Sequence, residues 1–333
     1  MKHLDGNAYK WRRFNIAIIV SSILILMLVT SINMLVDPYQ VFEVLKIPNG
    51  HTSNERYNKV DHLIKNPTKY NAYLMGSSKI GLVNPAYAEA YRPDMKYYNL
   101  GVFGGHAGDA LKMLKALKEN NVTIKEVVFG IDIFPYISRE TEVTPAYRHH
   151  QLVSGVSNFD FFTSYLFVPS MFHSITKVAH IMRGAEDISF DFNNTGHYRL
   201  LKFEKMIAED HKSYINKKFK NVTKTQNKVT WVDDQFTMLA YLENWLSLNN
   251  IQAYFFIQPH HRQDYQGRML KEDLAYFTKR IYSITGIIPN YMNDAQWTND
   301  DSLYYEPKHY RPILAQELLE RLFINNIANN GEY

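Results

Sequence analysis

A chain of 333 residues with 46% hydrophobic and 14% aromatic side chains carries enough apolar material for a substantial core, which excludes a mainly disordered protein. It contains no cysteine, which excludes disulfides, thiolate metal sites and cysteine nucleophiles. The formal charge of +4 lies mostly in the first 13 residues, which hold four basic side chains and one acid; the remainder is near neutral, a poor match for nucleic acid.

In chain order, the first strong signal is Phe14 to Val36, 23 residues without a charged side chain. As a helix it measures roughly 35 Å, enough to cross the hydrocarbon of a bilayer. A cleaved signal peptide would have a shorter apolar core ending at small residues, whereas this run ends Asn33-Met34-Leu35-Val36-Asp37-Pro38. Lys2, Lys10, Arg12 and Arg13 precede it, so the positive-inside rule places residues 1–13 in the cytoplasm and everything after the span outside. Residues 37–70, punctuated by Pro38, Pro48, Gly50 and Pro67, read as a connecting segment too interrupted for a long helix, with a spacing and packing role.

The body of the protein starts at residue 71. An apolar run, Ala72 to Met75, breaks into Gly76-Ser77-Ser78-Lys79, the pattern of a buried strand that delivers a hydroxyl to the end of a sheet. Ser78 is the candidate nucleophile. Lys96 to Leu100 reads as a second strand running into a glycine loop, Gly101 to His106, and a helix follows over Ala107 to Glu119. Glu126 to Ile131 is a third strand ending at Gly130-Ile131-Asp132, and Gln252 to Ile257 a fourth, preceded by a helix over about 235–248. Strands alternating with helices predict an α/β fold with a parallel sheet covered on both faces, and sites in such sheets form at the carboxyl ends of the strands.

An insertion of about 138–234 separates the third and fourth strands. Within it, Phe161 to Met182 is dense in Phe, Tyr, Leu, Met and Ile, but His173, Lys177 and His180 argue against a second span. The plain reading is a helical cap packed over the site; the sharper one is an apolar surface resting on the membrane or a membrane partner. His260 and His261 follow the fourth strand at the edge where sites form, so His260 is a candidate pocket residue, and His106 follows the glycine loop closely enough to touch substrate. His149 and His150 have no carboxylate nearby in sequence, so no metal site is expected there.

Near the C-terminus, Glu306 and His309 stand three apart before a helix over about 312–326. That spacing lets a loop carboxylate orient a histidine as a general base for Ser78.

Gly76-Ser77-Ser78, Asn99 to Gly104, Gly130-Ile131-Asp132 and Glu306-Pro307-Lys308-His309 resemble, in order, the four blocks of the SGNH (GDSL-like) hydrolase superfamily. The resemblance implies a three-layer, flavodoxin-like parallel sheet over residues 71–333. It also implies Ser78 as nucleophile, His309 with Glu306 completing the triad, a Gly104 or Gly105 N–H at the oxyanion, and Asp132 where the family has an asparagine donor. An ionised carboxylate there repels an oxyanion, and loss of one donor typically costs about 10² to 10³ in rate. Asp132 is therefore turned away, or protonated, or replaced in function by the N–H groups of Ser78 and Gly104 or Gly105, or a structural cap of the following loop.

The single span followed by this domain resembles the membrane-anchored branch of the superfamily that includes the DltD protein of teichoic-acid D-alanylation and the periplasmic partners of polysaccharide O-acetylation. That likeness implies a bacterial cytoplasmic-membrane location, a membrane-bound O-acyltransferase as partner, an extracytoplasmic glycan as acceptor, and no cofactor. Two alternatives share the sequence features: a glycan O-acetyl esterase, and a non-catalytic scaffold that binds glycan or the acyltransferase.

Overall fold

The computed structural model describes residues 3–45, 53–137, 145–184, 186–219, 229–265 and 269–330. α1 (His3–Val36) is one continuous helix, and its segment Ala8–Val36 is long and apolar enough to cross a membrane. The helix begins ahead of the expected span, so Lys10, Arg12 and Arg13 sit on its first turns rather than in a separate tail. At its end, Asp37 takes a positive φ of 45° and its carboxylate accepts the N–H groups of Val41, Phe42 and Glu43, each at 2.9 Å. The connecting segment is more structured than its prolines suggest. It contains α2 (Glu55–Lys65), capped by Asn54, whose side chain accepts the Tyr57 N–H. Residues 46–52, with Pro48 and Gly50, lie outside the described residues.

Four parallel strands, β1 (Ala72–Gly76), β2 (Tyr97–Asn99), β3 (Glu126–Ile131) and β4 (Gln252–Ile257), pair in the order β2-β1-β3-β4. They coincide with the predicted strands to within a residue or two. Every residue of the first three is buried, because helices cover both faces of the sheet. Tyr73, Met75, Val127 and Phe129 pack with α2 and with α4 (Ala107–Glu119), α6 (Asp233–Leu248) and α7 (Lys271–Thr285), through Val60, Leu114, Leu239 and Phe277. The alternate residues Ala72, Leu74, Val128 and Phe256 pack against Leu314, Leu318 and Leu322 of α8 (Pro312–Asn330). A short helix, α3 (Ser78–Gly81), leaves β1, and Gly76 joins them at φ 143°, where an added Cβ would lie 2.6 Å from the Gly130 carbonyl oxygen.

The insertion does two jobs. Its small hairpin, Ser189–Phe190 against Tyr198–Arg199, covers the exposed edge of β2: the Asn99 N–H donates to the Thr195 carbonyl at 2.8 Å and the Tyr98 hydroxyl to the Phe192 carbonyl at 2.8 Å. Its apolar segment does not cover the site, contrary to the cap reading. α5 (Val168–Met182) instead packs against the end of α1. Asn33 donates to the Leu166 and Phe167 carbonyls at 3.0 and 2.9 Å, Ser174 donates to Asn33 at 2.9 Å, and Lys177 donates to the Asp37 carbonyl at 2.9 Å. The physical reason is that its buried side carries Ser174 and Lys177, which need polar partners, and the end of α1 supplies them. Residues 138–144, 185 and 220–228 of the insertion lie outside the described residues.

Candidate active site

Strand register brings the first two groups together. Gly76 is opposite Gly130, so Ser78 and Asp132, each two residues further on, leave the sheet side by side between β1 and β3, where the strand order reverses. Ser77 is the N-cap of α3, its hydroxyl accepting the Lys79 N–H at 3.4 Å, which puts Ser78 at the first helical position. Asn99 then fixes this helix from β2: its amide donates to the Ile80 and Val83 carbonyls at 2.6 and 2.7 Å and accepts the Gly101 N–H at 2.9 Å. The Tyr198 hydroxyl donates to the Ser78 carbonyl at 2.6 Å, anchoring the same turn from the insertion.

The third group comes from a hairpin. Tyr304–Glu306 pairs with His309–Tyr310, and Glu306 lies opposite His309. Ser78 Oγ is 2.8 Å from His309 Nε2, and the other ring nitrogen, Nδ1, is hydrogen-bonded to Glu306 Oε1. A carboxylate can only accept, so Nδ1 carries the proton and Nε2 is left to accept the Ser78 hydroxyl. Burial pushes the Glu306 carboxyl up, but its bonds to His309 and to the Lys308 N–H, the latter at 3.1 Å, outweigh this and hold it below the usual range. The predicted pairing of Ser78, His309 and Glu306 is thus present as a contiguous chain of hydrogen bonds.

Asp132 is buried and all its acceptor capacity is used. Oδ2 accepts the Ser77 hydroxyl at 2.7 Å and lies 3.0 Å from Lys79 Nζ; Oδ1 is 3.0 Å from His260 Nε2 and accepts the Phe134 N–H at 3.2 Å. Burial raises its pKa, yet the Lys79 ammonium and the bonds from His260 and Ser77 hold the carboxyl well below its ordinary value. It is therefore ionised, which removes the protonated alternative, and neutralised by Lys79, one residue past the candidate nucleophile. Its bond to Phe134 also caps the following loop. His260 needs correction as a pocket residue: its ring is fully buried behind Asp132, held there by Asp132, Lys79 and the ring of Phe134.

The glycine loop divides as well. Gly104 has φ 62° and its N–H has no hydrogen-bond partner among the described residues, and the same holds for the N–H of Ser78. The Gly105 N–H is already spent on the Val102 carbonyl at 2.9 Å, which corrects its expected role at the oxyanion. His106 caps α4, its Nδ1 accepting the Gly108 and Asp109 N–H groups, while its ring stays at the wall of the cavity. The loop is held by a set of charges in α2 that the sequence reading passed over. Glu55 accepts the Phe103 N–H at 2.8 Å, Arg56 donates to the Phe103 carbonyl at 2.9 Å, and Lys59 donates to the Gly101 carbonyl. Lys59 pairs with Glu55 at 3.1 Å and Arg56 with Asp109 at 2.8 Å, all buried. His149 also finds a carboxylate in space, Asp109 at 2.7 Å. The one available signal was an unusual density of charge, Glu55-Arg56-Tyr57-Asn58-Lys59, beside a polar cap residue.

Ser78, Gly104, His106, Asp132 and His309 line one cavity of about 590 Å³, together with Phe134, Pro135, Val232, Asp234 and Gln235. Its volume lies in the range of small-molecule sites. Compared with models of protein families and with curated proteins, the chain matches none.

Lys79→Met leaves Asp132 as an unpaired buried carboxylate and is expected to destabilise the full-length protein by about 3–5 kcal/mol. Lys79→Met with Asp132→Asn should recover much of that loss in chemical unfolding, as a double-mutant cycle measures; additive losses would mean that the two charges do not compensate each other. Asp109 behaves like Asp132: burial raises its pKa, and Arg56 with His149 lowers it further, leaving it below its ordinary value. A depressed native pKa contributes stability that is complete above the unfolded value of about 4 and is lost as pH falls towards the native one. The thermal midpoint should therefore fall as the pH drops below about 4 and go on falling with further acid, and Asp109→Asn should flatten that drop while lowering the midpoint at neutral pH.

Proposed function

We propose that the protein is a serine acyltransferase of SGNH type, anchored by α1 and acting outside the cytoplasmic membrane. The observation that carries this reading is the Ser78–His309 contact of 2.8 Å with Glu306 at the far nitrogen of the imidazole. His309 Nε2 takes the proton as Ser78 Oγ attacks an acyl carbonyl. The resulting oxyanion is met by the N–H groups of Ser78 and Gly104, and His309 returns the proton to the leaving oxygen as the acyl-serine forms. An acceptor hydroxyl then loses its proton to His309, attacks the ester, and regenerates Ser78. With Asp132 neutralised by Lys79, the site lacks the side-chain donor of the family but carries no uncompensated negative charge at that position.

The partner and acceptor follow from the resemblance: a membrane-bound O-acyltransferase that delivers the acyl group across the bilayer, and an extracytoplasmic glycan that receives it. The basic residues on the first turns of α1 support an N-terminus on the cytoplasmic side.

A fluorophosphonate probe applied to the full-length protein in detergent should label the wild type and leave Ser78→Ala unlabelled. Glu306→Gln should slow labelling on the order of 10³- to 10⁴-fold, because the imidazole loses the partner that fixes its tautomer. Labelling of Ser78→Ala at the wild-type rate would sink the reading.

A further inference from the structure

α5 is amphipathic in the reverse sense to a helix on the surface of a soluble protein. Its polar residues, Ser170, Ser174 and Lys177, are buried, while Phe172, Ile175, Val178 and Met182 are 69%, 57%, 40% and 82% exposed. At 100° per residue Phe172, Ile175 and Met182 lie roughly 110–170° from the centre of the buried polar set, with Val178 at the margin of the exposed face. In water such an arrangement is unfavourable, since the exposed apolar side chains forgo burial. Phe167, just ahead of the helix, and Leu152, Val156 and Phe159, earlier in the same insertion, are also exposed, at 45%, 50%, 45% and 76%. Across Gln151 to Met182 the charged side chains are Asp160 and the buried Lys177 alone.

The attachment of α5 sets its depth. It is bound to Asn33 and to the carbonyl of Asp37, at the end of α1 away from the basic residues. The charge-free run from Phe14 to Val36 is roughly 35 Å long against about 30 Å of hydrocarbon, so this end reaches the boundary between acyl chains and headgroups. Lipid is therefore available to the exposed face of α5 from the chain's own anchor, without a partner protein.

We infer that α5, with the apolar side chains of residues 152–167, lies in the plane of the bilayer as a second attachment, its Phe172, Ile175 and Met182 face turned to the acyl chains. The inference rests on α1 spanning the bilayer and is independent of the chemistry at Ser78. Two attachments restrict the rotation of the domain about α1 and hold the cavity mouth at a fixed angle to the membrane, where an anchor alone would leave it free.

The absence of cysteine makes the test direct. Nitroxide labels at Phe172→Cys, Ile175→Cys and Met182→Cys are compared, one at a time, in full-length protein reconstituted into nanodiscs of phosphatidylcholine and phosphatidylglycerol. Leu26→Cys in α1 and Ile287→Cys, 91% exposed on the domain, serve as membrane and aqueous references. Power saturation with oxygen and with a water-soluble nickel chelate should give the three α5 sites an oxygen-to-nickel accessibility ratio several-fold above that of Ile287 and approaching that of Leu26. Ratios equal to Ile287 at all three, with Leu26 still oxygen-favouring, overturn the inference and leave the face to a membrane protein. An aqueous ratio at Leu26 overturns the spanning reading and the inference with it. Because each position is exposed and tested separately, loss of folding in one variant leaves the other two to decide.

Discussion

A carboxylate buried beside a nucleophile is costly in two ways, by its own desolvation and by its repulsion of any anion that forms there. Asp132 is placed in that position by the register of β1 and β3, and the chain answers it with Lys79, 3.0 Å away and one residue past Ser78. Ser77 and His260 add their hydrogen bonds to the same carboxylate, so the group beneath Ser78 is a compensated network and not a free charge. Much else follows from it. The network fixes the start of α3, closes the loop after β3 through Phe134, and keeps His260 away from the cavity.

The same device recurs on the other side of the site. Glu55, Arg56, Lys59 and Asp109 form buried pairs that together cost much of what they return. They spend their hydrogen bonds on the backbone of Gly101 and Phe103, the loop that presents Gly104. Buried charge here serves position more than stability: a glycine loop held by apolar packing alone would keep its backbone groups unsatisfied, and one left in solvent would move. The Ser78 hydroxyl is held between these two networks, with His309 reaching it from a third element.

The strands were legible because each carries an apolar run, and a strand buried on both faces, as the first three are, leaves that trace in the sequence. Ser78, His309 and Glu306 were legible as candidates because a hydroxyl after a strand and a carboxylate three residues before a histidine both show in the sequence. What could not be read depends on pairing at long range. The compensation of Asp132 by Lys79 spans more than fifty residues and needs the register of two strands. The clamp from α2 needs the folded path of residues 53–65, which the flanking prolines disguise. His260 was misplaced because position after a strand gives the correct edge of the sheet but not the direction of the side chain. The cap reading of Phe161 to Met182 failed for a similar reason. Composition shows that a segment is apolar, but only the partners of Ser174 and Lys177 show which of its sides faces inward.

Together these features describe a site assembled at the carboxyl edge of the parallel sheet and completed by a separate hairpin, on a domain whose α5 is bonded to the end of a single apolar helix. Whether Ser78 takes up an acyl group is read by mass spectrometry of the full-length protein after brief exposure to an activated acyl ester and acid quench. The expected result is a single ester-linked acyl group on the peptide containing Ser78, sensitive to hydroxylamine and absent from Ser78→Ala. An adduct on Ser77 in place of Ser78, or none at all while the ester is consumed, would contradict it.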